Sequence, residues 1–160
     1  MQSITWSDDL SVGVYILDAD HQFLIRLIRK FNDAIDGKQP RDRIIRTLEE
    51  VYEYTDFHFL REEVLMRACG YTDIDAHHAV HVKLRNQMKD YLAKFEADAS
   101  PELAMELRGF LNDWLTKHIM GQDKKYAPIM AGKDDKIAEA HAYWANHHSE
   151  TESAESTEVY

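Results

Sequence analysis

Apolar residues recur every three or four positions along almost all of this chain, and no sustained two-residue alternation interrupts them. That period marks amphipathic α-helices, each with one face to bury. It restricts the fold to helix packed on helix. Four long helices are read. The first runs from about Asp18 to Ile35, with Asp18 as N-cap, Gly37 just beyond its end, and a stripe of Leu17, His21, Leu24, Ile28, Phe31 and Ile35. The second follows Pro40 and reaches about Arg67, with Gly70 closing it. The third begins near Thr72, read as N-cap with Asp75 three residues on, and carries Ile74, His77, His81, Leu84, Met88, Tyr91 and Phe95. The fourth opens with Ser100 as N-cap, Pro101 at the first helical position and Glu102 in the first turn, and continues to His118, near Gly121.

The linkers are short, so successive helices should be antiparallel neighbours in an all-α, up-down-up-down four-helix bundle. This bundle is assigned to residues 1–131, including an N-terminal arm. Residues 132–160 form a C-terminal extension, helical over about Lys133 to His148 and disordered from Ser149, where four glutamates meet no Lys or Arg. With 160 residues one substantial core is expected.

Composition removes several function classes. A net charge of -10 argues against nucleic acid, which is bound through clustered Lys and Arg. No apolar run is long enough to span a bilayer, so no membrane insertion is expected. Met1 to Val14 holds Asp8 and Asp9 but no basic residue and no apolar core, unlike a secretory signal. The single cysteine, Cys69, excludes an intramolecular disulfide and fits a reducing compartment. The expected address is the cytoplasm.

Against that background seven residues stand out: His21, His58 with Glu62, His77 with His81, and His118 with Asp123. Offsets of three or four place side chains on one helix face. His21 and His77/His81 sit at helix starts, His58/Glu62 and His118/Asp123 at helix ends, and an alternating bundle brings all four places to the same level. Five imidazoles and two carboxylates buried without partners would cost several kcal/mol per group. Metal cations remove that cost. Imidazole-rich sites suit iron, zinc, copper or nickel. Seven donors exceed what tetrahedral zinc needs, and two six-coordinate ions, iron foremost, fit better. The histidine-rich shell also differs from the glutamate-rich shell of ferritin-like di-iron enzymes, which favours holding dioxygen over splitting it.

One spacing resists a regular helix. Five residues separate His118 from Asp123, about 500° of rotation, which leaves their side chains roughly 140° apart. A π-type turn, or a break at Gly121, is therefore expected between His118 and Lys124.

These residues resemble the hemerythrin family, in its single-domain prokaryotic branch, the bacteriohemerythrins. The likeness covers roughly Ile4 to Ile129. It rests on Trp6, the Val12-Gly13-Val14 segment with Asp18 and His21, HFLREE at His58 to Glu63, HHAVH at His77 to His81, and WLTKHIMGQDKKY from Trp114 to Tyr126. The resemblance implies two iron ions (Fe2+/Fe3+) joined by an oxo or hydroxo bridge, with dioxygen as the ligand. Glu62 and Asp123 would bridge, His77, His81 and His118 would complete one iron, and His21 and His58 would hold the other, which keeps an open position. Leu115 and Ile119 match family positions lining the oxygen cavity, and Phe59 and Trp114 are added to that lining.

The function implied is reversible dioxygen binding for storage or transport, without enzymatic turnover, by a monomer serving an oxygen-consuming enzyme. A di-iron peroxidase or ferroxidase, and an oxygen- or redox-sensing interaction module, are the alternatives. His78 is read as solvated, Cys69 as a packing residue, and His141, His147 and His148 as part of an exposed polar extension.

Overall fold

The computed structural model describes residues 3–155, with side chains described through His147. Its helices are α1 (Tyr15–Asp36), α2 (Arg41–Ala68), α3 (Ile74–Ala97), α4 (Pro101–His118), α5 (Lys124–Met130) and α6 (Asp134–Glu155). The linkers between α1, α2, α3 and α4 are only a few residues long, so each packed pair must run antiparallel. The helices α1 and α2, α2 and α3, α3 and α4, and α4 and α1 lie against one another, which closes a four-helix bundle.

Local signals explain most boundaries. Ser100 caps α4, its side chain accepting from Leu103 N–H at 3.1 Å, with Pro101 at the first position. The end of α2 is a glycine stop. Gly70 adopts φ +76°, Tyr71 N–H donates to Met66 C=O, and Gly70 N–H to Arg67 C=O. Two expected caps are corrected. The first helix starts at Tyr15, and Asp18 lies inside its first turn. There its carboxylate reaches back to accept from Ser11 Oγ at 2.5 Å and Val12 N–H at 2.8 Å, pinning the N-terminal arm to the positive end of α1. Asp73, not Thr72, precedes α3, and no side chain caps it.

The core is one continuous cluster that includes Leu17, Leu24, Ile28, Phe31, Leu48, Val51, Leu65, Met88, Phe95, Leu107 and Leu111. A polar bridge ties the arm to it. Ile4 N–H donates to Asn112 Oδ1 at 2.9 Å, and Asn32 and Asn112 exchange amide hydrogen bonds. The extension is less separate than its composition suggests. Helix α6 packs on α2 and sends Ile137 into the core. It continues to Glu155, so Ser149 to Glu155, expected to be disordered, is helical; the remainder of that stretch, 156–160, lies outside the described residues.

Candidate metal centre

The alternation of the bundle brings four helix segments to one level. His21 lies within the first two turns of α1, and His77 and His81 within the first turns of α3. His58 and Glu62 come from the C-terminal part of α2, and His118 is the last residue of α4. All seven are buried, with Asp123, His21, His81 and Glu62 fully so. Their donor atoms fall into two overlapping sets, each within 4.8 Å: Glu62, His77, His81, His118 and Asp123 in one, His21, His58, Glu62 and Asp123 in the other. The two carboxylates belong to both. Glu62 places Oε2 2.8 Å from His58 Nε2 and Oε1 2.9 Å from His77 Nε2. Asp123 places Oδ2 3.2 Å from His21 Nε2 and Oδ1 3.1 Å from His118 Nε2.

Asp123 reaches the cluster through a π-helical turn over Ile119–Asp123, between α4 and α5. The wider turn absorbs the five-residue spacing that a regular α-helix would leave on opposite faces. This is the irregularity expected from the sequence.

The imidazoles are oriented from behind. His58 Nδ1 donates to Asp20 Oδ2 at 2.9 Å, and His81 Nδ1 to Glu63 Oε1 at 2.8 Å. A proton on Nδ1 leaves Nε2 as a lone pair. The inward Nε2 atoms meet other nitrogens head on: His58 Nε2 is 3.1 Å from His21 Nε2, and His81 Nε2 is 3.2 Å from His118 Nε2. Both oxygens of Glu62 and of Asp123 are buried without a hydrogen bond. Converging lone pairs and anions at this depth repel one another unless protons or cations sit between them. The donor set, imidazole nitrogen with carboxylate oxygen, suits a first-row transition metal.

Charge follows the same geometry. Burial would push the His58 imidazole down, but Glu62 and Asp20 outweigh it and hold it at about 10. Burial is likewise overcome at His77, held up at about 9 by Asp123 and Glu62. Burial also opposes ionisation of Asp20 and Glu63. Hydrogen bonds from His58, Tyr54 and Arg61 hold Asp20 near 2, and those from His81 and His78 hold Glu63 near 2. The protein therefore keeps both supporting carboxylates ionised.

Every sequence-derived donor thus lies in the cluster. Phe59, Trp114, Leu115 and Ile119 are all buried. The Phe59 ring stacks on His81 with centroids 3.8 Å apart, and Trp114 lies 6.0 Å from His118. The supporting residues Asp20, Glu63, Tyr54 and Arg61 were not singled out from the sequence. Asp20 and Glu63 each sit one residue from a donor, about 100° away on the helix. The histidines they hold are on another helix, so no spacing rule within one segment reveals them. Tyr126 was also missed; its ring is buried 5.8 Å from His77. His78 is exposed, as its sequence reading has it, and its Nδ1 lies 2.9 Å from Glu63 Oε1. Cys69 is buried, and burial pushes its thiol up, in keeping with a packing role.

The family model for the hemerythrin HHE cation binding domain matches residues 12–130. The chain belongs to the hemerythrin family. It is 33% identical over 126 residues to the bacteriohemerythrin of Pseudomonas aeruginosa (strain LESB58), covering 79% of this chain and 80% of that protein. Against the bacteriohemerythrin of Methylococcus capsulatus (strain ATCC 33009 / NCIMB 11132 / Bath) it is 32% identical over 133 residues, 82% of this chain and 99% of the relative. A crystal structure of wild-type hemerythrin superposes with a TM-score of 0.71 at 29% identity, covering 82% of this chain and all of that one. The family match stops at the end of α5, so helix α6 of this hemerythrin lies outside it.

Proposed function

We propose that this hemerythrin binds dioxygen reversibly at a pair of iron ions and serves as a cytoplasmic oxygen store or carrier rather than a catalyst. The inequality of the two donor sets carries the reading: one offers five residues and the other four, so one ion keeps a free position. When bound, the irons supply the electrons and the open position for dioxygen. Glu62 and Asp123 would link the two ions, His77, His81 and His118 would complete the fuller set, and His21 and His58 would complete the other.

The remaining tasks fall to the surroundings. Asp20 and Glu63 fix His58 and His81 with Nε2 turned inward. Phe59 and Trp114 cover His81 and His118 with apolar rings, and buried Leu115 and Ile119 follow on α4 and the π-turn; such cover would exclude the water and protons that turn held oxygen into released peroxide. Both alternatives, a peroxidase or ferroxidase and a sensing module, use the same donors. A general acid beside the open position would favour the enzyme; the buried Tyr126 ring lies 5.8 Å from His77, a member of the fuller set and not of the smaller one.

The test is a gas cycle on the iron-loaded, anaerobically reduced protein. Admission of oxygen should give a stable coloured form that bleaches under vacuum and returns over repeated cycles. Single-pass oxidation with peroxide turnover would assign the centre to an enzyme instead.

A further inference from the structure

Behind His58 stands a chain of contacts that leaves the bundle and ends on the C-terminal helix. Asp20 is buried and accepts on both oxygens: Oδ2 from His58 Nδ1 at 2.9 Å and from Arg61 Nε at 3.0 Å, Oδ1 from Tyr54 Oη at 2.7 Å and from an Arg61 terminal nitrogen. Arg61 is largely buried. Its guanidinium carbon lies 4.7 Å from the ring centroid of Phe57 on its own helix and 5.5 Å from that of Trp144 on α6. The Phe57 and Trp144 rings meet edge to face at 4.9 Å.

We infer that Trp144 is a positioning residue for the smaller donor set, closing Arg61 onto Asp20 and so holding the His58 imidazole in place. The inference rests on the assignment of His58 to that set. An arginine side chain has many rotamers, and aromatic faces packed on its guanidinium restrict it to few. A guanidinium held by two rings delivers two donors to one carboxylate in fixed geometry. That carboxylate in turn fixes both the tautomer and the ring plane of His58. In the fuller set His81 is held instead by Glu63, whose other close neighbours among the described residues are His78 and Arg67, neither of them on α6. The extension therefore acts on one ion of the pair and not on the other.

Two readouts on the full chain test this. Cobalt(II) is titrated into the metal-free protein and followed by its visible absorption. Trp144→Ala should weaken the second binding event by about 10-fold, the lower end for loss of an outer partner of a ligand, and leave the first unchanged. Trp144→Phe, which keeps a ring over Arg61, should restore most of it, and Tyr143→Ala, on the exposed side of α6, should match the wild type. Equal weakening of both events, or of neither, overturns the inference. Exchange of the His58 Nδ1 proton with solvent, read by NMR on the metal-free protein, should be faster in Trp144→Ala and slow again in Trp144→Phe; equal rates in all three overturn it. A wild-type protein that takes up only one cobalt ion contradicts the two-ion reading above, while the exchange rates still decide the role of Trp144.

Discussion

Replacing Glu62 by Gln should strip the protein of its capacity for two ions. The substitution keeps shape and volume, so the bundle is preserved, but one of the two oxygens becomes an amide nitrogen that donates and cannot ligate. Because Glu62 contributes to both donor sets, the loss is felt at each. Removing an outer partner of a ligand already costs about 10–100-fold in affinity, so loss of a shared donor should cost on the order of 100-fold or more. Stability reports the same event. Metal at 1,000 times its dissociation constant stabilises a folded chain by about 4 kcal/mol, roughly 8–16 °C in Tm at this size. Adding iron should raise Tm by about that amount in the wild type and by about a third of it or less in Glu62→Gln, measured by calorimetry with and without metal. A variant that still takes two ions with unchanged affinity would show that Glu62 is not shared.

Loading should also expel protons, and the metal-free and loaded proteins should respond to pH in different ways. In the metal-free chain His58 is held up at about 10 and His77 at about 9, so both carry protons at pH 7. Metal needs their nitrogens bare, and metal affinity should therefore rise by at least about 10-fold per pH unit between pH 7 and 9. Unfolded imidazoles titrate at about 6.5. Their folded-state protons thus stabilise the metal-free protein fully below that pH, and the contribution is lost as pH rises through about 9 and then about 10. The loaded protein should lack this alkaline loss, because cations have replaced the protons. At the acid end Asp20 and Glu63, both held near 2, stabilise the fold above the ordinary carboxylate range and cease to do so as pH falls towards 2. Thermal melts across pH 3 to 10, with and without metal, check both limbs; identical alkaline limbs would contradict the displacement of protons by metal.

The parts of this molecule legible in its sequence are those governed by spacing along one helix. The i, i+4 pairs His58/Glu62 and His77/His81 point where the period says they must, and short linkers then decide that all four segments share one end of the bundle. Even the π-turn was implied, since five residues from His118 to Asp123 fit no regular α-helical face. Contacts between helices were not legible. Asp20 takes its partners His58, Tyr54 and Arg61 from α2, and Glu63 takes His78 and His81 from α3; neither relation leaves a mark within a single segment. Caps were legible only where the side chain faces its own backbone. Ser100 does, whereas Asp18, an equally plausible cap, serves the arm instead. The extension was legible in part: the helix expected over about Lys133 to His148 is present, and it runs on to Glu155. A run rich in glutamate can stay helical when its first turns are anchored, as Ile137 anchors α6 in the core.

The central claim is that seven side chains surround two metal ions and share two carboxylates. The most direct measurement is an anomalous difference map at the iron edge from crystals of the iron-loaded protein. Two peaks should appear about 4 Å apart or slightly less, one beside His77, His81 and His118, the other beside His21 and His58, with Glu62 and Asp123 touching both. A single peak, or two peaks that share neither carboxylate, would contradict it.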